Sequence, residues 1–262
     1  MPRPGDIPPP GALRQVTAVA RMTLAEALRL RLTLLLGAMA ALLVASVLWL
    51  RQIHFGTPEL RFLFDFGFGA IGLGGMLLAV LGTARLFFSE TERRILQMVL
   101  SRPVSRESWL AGKLAGVLLL LALFCCALTV LTALLAAWRA AAHGVEAPWG
   151  AVLQGGALLW LRSAVAAALT LFVCTFSRSG FFAGGAGLLA VLVGHLRPSA
   201  EAAPLDWSAQ GLLHCVIRLW PNLRVFEPTE AAAMTGGLVA YGLVWVGLFA
   251  AAAMLVFRKR EI

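Results

Sequence analysis

Six long apolar runs dominate this sequence and constrain its fold more than any other feature. Each run is rich in Leu, Ala, Val and Gly and is close to the roughly 20 residues that an α-helix needs to cross a ~30 Å hydrocarbon layer. Hydrophobic residues make up 60% of the chain and charged residues only 13%, too few to cover a water-exposed surface. We therefore predict an all-α membrane protein with six transmembrane helices. The predicted spans are 32–50, 66–88, 114–138, 150–176, 180–196 and 236–257.

Two segments precede the first apolar run. Residues 1–11 contain five prolines, which disfavour both a helix and a packed core, so this stretch is predicted to be a disordered tail. Residues 12–31 combine apolar and charged residues with a helical period, which predicts an amphipathic helix on the membrane surface. Its predicted apolar face consists of Leu13, Val16, Val19, Ala20, Leu24 and Leu28. The rest of the chain, 32–262, is assigned to the transmembrane domain.

Lys and Arg residues are distributed unequally between the two sides that the runs define. The side with both termini receives most of them, including six between Arg85 and Lys113. The other side receives only Arg51, Arg61, Arg139, Arg197, Arg218 and Arg224. Because cytoplasmic loops carry the excess of Lys and Arg, both termini and the 89–113 loop are predicted to be cytoplasmic. No basic stripe interleaved with aromatic residues occurs, so the net charge of +9 does not indicate nucleic-acid binding.

The loop at 89–113, SETERRILQMVLSRPVSRESWLAGK, carries the most informative pattern. Ser89 and Glu92 have the spacing of a capping box, which predicts that a helix begins there. Pro103 prevents that helix from continuing, and Ser105 is placed to cap the next one. The predicted short helix has an apolar side and mixed charges. By this pattern alone it either contacts lipid head groups or docks into a groove of a soluble partner.

The same segment resembles the permease subunits of type-2 ABC transporters, the ABC-2 class. The resemblance is carried by Glu90, Glu92, Arg94 and Leu96, by the run LSRPVSR at 100–106, and by Gly112-Lys113 ahead of the third span. It is similar in particular to the branch that works beside a copper-enzyme maturation system. The plan of an N-terminal surface helix, six spans, an apolar external segment and a basic C-terminus also resembles that family.

This resemblance implies a coupling helix that docks on a separate ABC ATPase, present in two copies. It also implies a second permease copy, either identical or a related paralogue, and a place in the bacterial inner membrane. ATP and Mg would be bound by the partner subunit, since no GxxxxGK[ST] occurs in this chain. The implied coupling residues are Glu90, Glu92, Arg93, Arg94, Leu96, Leu100, Arg102, Pro103 and Arg106.

The segment 205–228, between the fifth and sixth runs, is apolar but too interrupted to span a membrane. The family resemblance implies re-entrant helices at the external side, and Pro221 would divide them into two. An interfacial loop anchored by Trp residues accounts for the same composition.

Arg162 is the one charged residue deep inside a predicted span, since Arg85 lies near the cytoplasmic end of the second span. Its position makes Arg162 a candidate for the transport pathway. Alternatively, it lies close enough to the external end to snorkel, or it pairs with a carboxylate on a neighbouring helix. The largely apolar spans favour a lipid or amphipathic substrate over a highly charged one.

Two other functional classes fit less well. An intramembrane enzyme lacks support because no HExxH occurs and the four histidines are scattered, and no catalytic residue or metal site is predicted. An ATP-independent transporter or channel is the second hypothesis, but the predicted span interiors contain no Asp or Glu for an ion relay.

Overall fold

The computed structural model describes residues 11–29, 32–50, 58–92, 105–143, 149–202, 219–228 and 236–259. All regular structure in these ranges is helical. The α-helices are α1 (Ala12–Arg29), α2 (Leu32–Leu50), α3 (Pro58–Leu77), α4 (Thr83–Glu92), α5 (Arg106–His143), α6 (Trp149–Phe176), α7 (Gly180–Ala202) and α8 (Gly236–Lys259). A single π-helical turn, Leu78–Gly82, joins α3 to α4, and a 3-10 turn, Arg224–Phe226, lies between α7 and α8.

Five helical stretches are long and apolar enough to cross a membrane. They are Arg61–Ser89, Arg106–Ala141, Trp149–Phe176, Gly180–Ser199 and Gly236–Arg258. The first predicted span is also helical, as α2, and its apolar part with described side chains is the shorter stretch Leu36–Ser46. The helical membrane class is therefore confirmed, while the count of six spans stays a prediction.

Helix α6 lies at the centre of the bundle. In an 18-residue apolar stretch of α6, 78% is buried by the rest of the chain, whereas the corresponding share for α8 is 17%. The other spans therefore surround α6. Small residues let neighbouring helices approach closely: a side chain on Gly75 would meet Ser163 of α6, and one on Gly242 would meet Leu161. Because lipid is as apolar as a leucine side chain, such close packing is the main stabilising contact between helices in a membrane.

Helix α1 packs along the first turns of α5. A Cβ atom on Gly112 would lie 2.6 Å from Val19 Cβ, and one on Gly116 would lie 2.7 Å from Thr23 Cβ. These two glycines therefore form an intramolecular helix contact. The buried residues of α1 are Gln15, Val19, Thr23 and Ala27, spaced four apart.

Only part of the predicted apolar face of α1 packs against the rest of the chain. Val19 faces α5, whereas Leu13 is 82% exposed and Leu28 is exposed as well. The glycines of α5 select the small and β-branched side chains of α1, because these allow the closest approach of the two backbones. The larger Leu residues are left on the outer side of the helix.

Two ends of the bundle are distinguished here by their acidic residues. The Glu26 end contains α1, α4, the first turns of α5 and the last turn of α8, where Phe87, Trp109 and Phe257 form one aromatic cluster. The Glu227 end contains residues 219–228 and the last turns of α7.

Ser89 does not begin a helix, which corrects the capping-box prediction. Helix α4 runs through Ser89 without interruption, because its sequence contains no Gly or Pro that would end the helix before Ser89. The Ser89 hydroxyl instead contacts the Leu86 carbonyl (3.2 Å) and Glu26 Oε1 (2.7 Å). The predicted cap at Ser105 is confirmed, since the Ser108 amide donates to Ser105 Oγ at 3.1 Å.

Candidate functional site

A cavity of about 620 Å³ lies between α3, α6, α7 and residues 219–228. This volume falls within the range of roughly 300–1,000 Å³ that is typical of small-molecule sites. Most of its wall is apolar, and its polar groups are few. The lining residues are Asp65, Phe68, Gly69, Gly72, Leu73, Met76, Leu77, Leu159, Arg162, Leu188, Val191, Leu192, His195, Glu227 and Pro228.

Arg162 is the central polar group of the cavity. It lies near the middle of α6 and is only 9% exposed, so it does not reach the end of its helix. Its Nη2 atom is 3.2 Å from His195 Nδ1 and 3.8 Å from Met76 Sδ, and its Nη1 atom is 3.7 Å from Glu227 Oε1. The expected partner carboxylate is therefore present, but it comes from the segment between α7 and α8. Of the two alternatives, the described contacts show the pairing with a carboxylate.

Residues 219–228 fold back against α7 and α8 and so bring Glu227 to Arg162. The Trp220 indole donates to the Ala190 carbonyl at 2.8 Å, the Leu223 amide donates to the Gly194 carbonyl at 3.1 Å, and the Asn222 amide donates to the Tyr241 hydroxyl at 2.8 Å. Through these bonds the segment packs alongside the turns of α7 that contain Ala190 and Gly194.

The predicted re-entrant helices are not seen in the described part of 205–228; residues 203–218 lie outside the described ranges. Residues 219–228 contain one 3-10 turn and no α-helix. Pro221 lacks a backbone donor, and the Asn222 side chain accepts a hydrogen bond from the Arg224 amide at 3.1 Å. Both features favour a turn over a continuous helix.

A second polar cluster lies at the Glu26 end and joins three helices. Lys113, on α5, is only 1% exposed, and its Nζ donates to the Leu86 carbonyl of α4 at 2.8 Å. The same Nζ is 3.7 Å from Glu26 Oε2 of α1, while Glu26 Oε1 accepts the Ser89 hydroxyl. Lys113 also lies over the Trp109 ring, 5.9 Å from its centroid. We call these residues the Lys113 cluster.

The family model described as ABC-2 family transporter protein matches residues 25–194, about two thirds of the chain. The chain belongs to the ABC-2 transporter family. The match covers the Lys113 cluster and Arg162 and ends just before His195. No curated protein matches the chain.

Membership of the ABC-2 family makes this chain a multi-pass membrane permease of the ABC transporter class. Permeases of this family are in general the non-catalytic transport subunits and associate with an ABC ATPase. The resemblance at 89–113 is thus confirmed at the level of the family, while its narrower branch stays a prediction.

The predicted coupling residues of this permease lie largely outside the described ranges. Arg93, Arg94, Leu96, Leu100, Arg102 and Pro103 fall within 93–104, which the structure does not describe. Glu90 and Glu92 occupy the last turn of α4, and Arg106 begins α5 with an exposed side chain. The two helices on either side of 93–104 are therefore those that Lys113 joins.

Sequence reasoning found Arg162 but missed the residues around it. His195 and Glu227 belong to a different helix and a different loop, and no motif links them to Arg162 in the sequence. Asp65 was placed before its span, but α3 begins at Pro58 and so includes it in the cavity wall. A signal was present, since a buried Arg requires a carboxylate or another acceptor and few acidic residues lie near the spans.

Proposed function

We propose that this ABC-2 permease forms the membrane pathway of an ATP-driven transporter and is moved by two copies of a separate ABC ATPase. These partners bind ATP and Mg. They contact the permease at the predicted coupling segment, through Glu90, Glu92, Arg93, Arg94, Leu96, Leu100, Arg102, Pro103 and Arg106. A second permease copy, identical or a related paralogue, completes the transporter.

The Lys113 cluster is the observation that carries this proposal. Residues 93–104 connect α4 to α5, and Lys113 joins those two helices to each other and to α1. A buried, charge-assisted contact of this kind is stiffer than an exposed ion pair. A force applied to the connecting segment would therefore move α4 and α5 together and pull on α1, as a lever requires.

The cavity at Arg162 is the part of the pathway that this chain contributes. Its wall includes α3, which continues through the π-helical turn into α4, so the cavity and the coupling segment share one helical stretch. The exposed apolar sides of α7 and α8, which include Leu189 and Val244, would face lipid or the second permease.

The proposed place of this permease is the bacterial inner membrane, with both termini in the cytoplasm. The Glu26 end is then cytoplasmic and the Glu227 end external. The excess of Lys and Arg at the Glu26 end supports this orientation. The ATPase would therefore approach α4, α5 and α1 from the cytoplasm.

Affinity purification of the permease from native membranes tests the proposal. An ABC ATPase should co-purify, and its ATP hydrolysis should be stimulated by the permease. Glu90→Ala and Arg94→Ala should reduce that stimulation, because each removes a charge from the proposed contact. Arg178→Ala is the matched control, since it removes an exposed charge in the connection between α6 and α7.

If no ATPase co-purifies and neither coupling variant changes hydrolysis, the permease is not driven through this segment. Substrate flux that continues without ATP would then favour an ATP-independent transporter or channel.

A further inference from the structure

We propose that the Arg162 cavity binds an amphiphile whose head group carries an oxyanion, a carboxylate or a phosphate, and that Arg162 anchors this group. The inference rests on the proposed function, because it names the class of substrate that the pathway accepts. It depends on three observations: the hydrogen-bonding state of Arg162, the side opening of the cavity, and the arrangement of the charges near Arg162.

The guanidinium group of Arg162 has donors that no described residue uses. Its Nε–H is buried and has no hydrogen-bond partner among the described residues. The carboxylate of Glu227 is 3.7 Å from Nη1, beyond the usual hydrogen-bond distance of about 2.7–3.2 Å. His195 supplies one contact at 3.2 Å through a single ring nitrogen. A buried charged donor without an acceptor is costly, so the site is suited to an acceptor that arrives from outside.

The geometry of guanidinium indicates what that acceptor is. Arg presents its N–H groups as a planar fork that pairs with two oxygen atoms of one carboxylate or phosphate. A neutral carbonyl or hydroxyl would use one donor and leave the others without an acceptor. The unused donors of Arg162 therefore favour an oxyanion.

The cavity opens sideways between α3 and α7. Toward the Glu26 end α7 contacts the π-helical turn and α4, since Gly184 of α7 lies against Leu81 and Ala84. Toward the Glu227 end the cavity lies between α3 and α7. Leu73, Leu188 and Leu192 line the cavity and are 62%, 44% and 48% exposed, so they form an exposed apolar rim. An alkyl chain fits this apolar rim while its head group reaches Arg162.

The nearby acidic groups are arranged so that an anion can replace one of them. Glu227 is 3.6 Å from Arg224 Nε, so it keeps a cationic neighbour when a ligand takes Arg162. The hydrogen bonds from Trp220 and Leu223 to α7 do not involve Glu227, so they would remain in place. Asp65 is exposed and lies two helical turns from Gly72, roughly 10 Å along α3, and Gly72 is the α3 residue beside Arg162. It therefore repels an anion at Arg162 only weakly.

A binding experiment on the permease alone tests this inference. The purified chain is placed in phosphatidylcholine nanodiscs and titrated with dodecyl phosphate, and binding is followed by microscale thermophoresis. Dodecyltrimethylammonium is the cationic control with the same chain. Inorganic phosphate tests whether a free aqueous anion suffices, and phosphatidic acid added to the nanodisc tests whether a bilayer lipid competes for the site.

The inference expects saturable binding of dodecyl phosphate, competition by phosphatidic acid, and no binding of inorganic phosphate or of the cationic amphiphile. Arg162→Gln should weaken dodecyl phosphate roughly tenfold or more, because it removes the charged donor from a buried pair. Arg162→Lys should weaken binding less, because it keeps the charge and loses the fork. Arg139→Gln, which removes a charge from α5 outside the cavity, should change the affinity by less than about twofold.

Leu192→Trp keeps the test decisive if the Arg162 variants do not fold. It narrows the side opening at a half-exposed position and leaves the polar groups unchanged, so it should also weaken binding. The inference is overturned if Arg162→Gln or, failing that, Leu192→Trp binds dodecyl phosphate as the original chain does, or if the cationic amphiphile binds equally well. Because no ATPase is present, this failure is separate from a failure of ATPase coupling, and each can occur without the other.

Discussion

The pair of buried Lys113 and partly buried Glu26 predicts a measurable coupling energy between α5 and α1. The perturbations are Lys113→Met, Glu26→Gln and the double variant. Lys113→Met removes both the contact with Glu26 and the hydrogen bond to the Leu86 carbonyl. Glu26→Gln removes only the charge and keeps an acceptor for the Ser89 hydroxyl.

The expected magnitudes follow from the geometry. At the observed 3.7 Å, Coulomb attraction is about 4 kcal/mol for an effective dielectric constant of about 20. Desolvation of Lys113 offsets much of this attraction, so a net coupling energy of about 1–2 kcal/mol is expected. The bond to Leu86 adds about 1.5–3 kcal/mol because its donor is charged. Lys113→Met should therefore lower the free energy of unfolding by about 2.5–5 kcal/mol, and Glu26→Gln by about 1–2 kcal/mol.

The assay is unfolding of the purified permease in mixed micelles with increasing dodecyl sulfate, followed by circular dichroism. A double-mutant cycle isolates the coupling energy from the single effects. The pair of Arg258 and Glu107 is the matched control: it lies at the same end, 4.0 Å apart, but its side chains are 74% and 59% exposed. Its coupling energy should be below about 0.5 kcal/mol. If the Lys113 pair couples no more strongly than this control, the argument from burial is refuted.

Three further variants test separate contacts. Gly112→Ala should lower the free energy of unfolding by about 1–3 kcal/mol in the same assay, because its Cβ would overlap α1. Gly247→Ala is the control: its Cβ would meet nothing within 4 Å, so it should be neutral or slightly stabilising. Tyr241→Phe should speed amide exchange at Asn222, measured by hydrogen–deuterium exchange mass spectrometry, because it removes the acceptor of that amide. Ser105→Ala should cost about 1 kcal/mol and increase exchange in the first turn of α5, with no change near Tyr241.

The spans were predictable from the sequence because membrane helices must satisfy all their backbone hydrogen bonds internally, so long apolar runs have few alternatives to a helix. Their ends were less predictable. The second span was expected at 66–88, but its helical stretch covers 58–92, because helices continue beyond the apolar part until a residue stops them. The same reason accounts for the error at Ser89. A capping box indicates a helix start only where the preceding residues are not already helical.

Of the residues that line the cavity, only Arg162 was predictable from the sequence. A charge within an apolar run is visible in the sequence, so Arg162 could be named from the pattern alone. Its neighbours depend on how α6 and α7 pack and on how residues 219–228 fold back, which are tertiary contacts that one sequence does not show. Lys113 illustrates the opposite problem. It was read as one of several cytoplasmic cations, yet it is buried because α1 covers the start of α5.

The helical stretch 58–92 connects the two polar clusters physically. Met76, near the end of α3, contacts Arg162, and Leu86, in α4, accepts the hydrogen bond from Lys113. The π-helical turn Leu78–Gly82 lies between them, and such turns often mark functional sites and local bends in helices. A stretch that was rigid throughout would move the cavity wall and the Lys113 cluster as one body. Under the proposed function, the π-helical turn is the place at which α4 would change its angle relative to α3. Under the proposed function, a movement of the coupling segment would therefore alter the cavity at this turn, because both clusters hold the same helical stretch on either side of it.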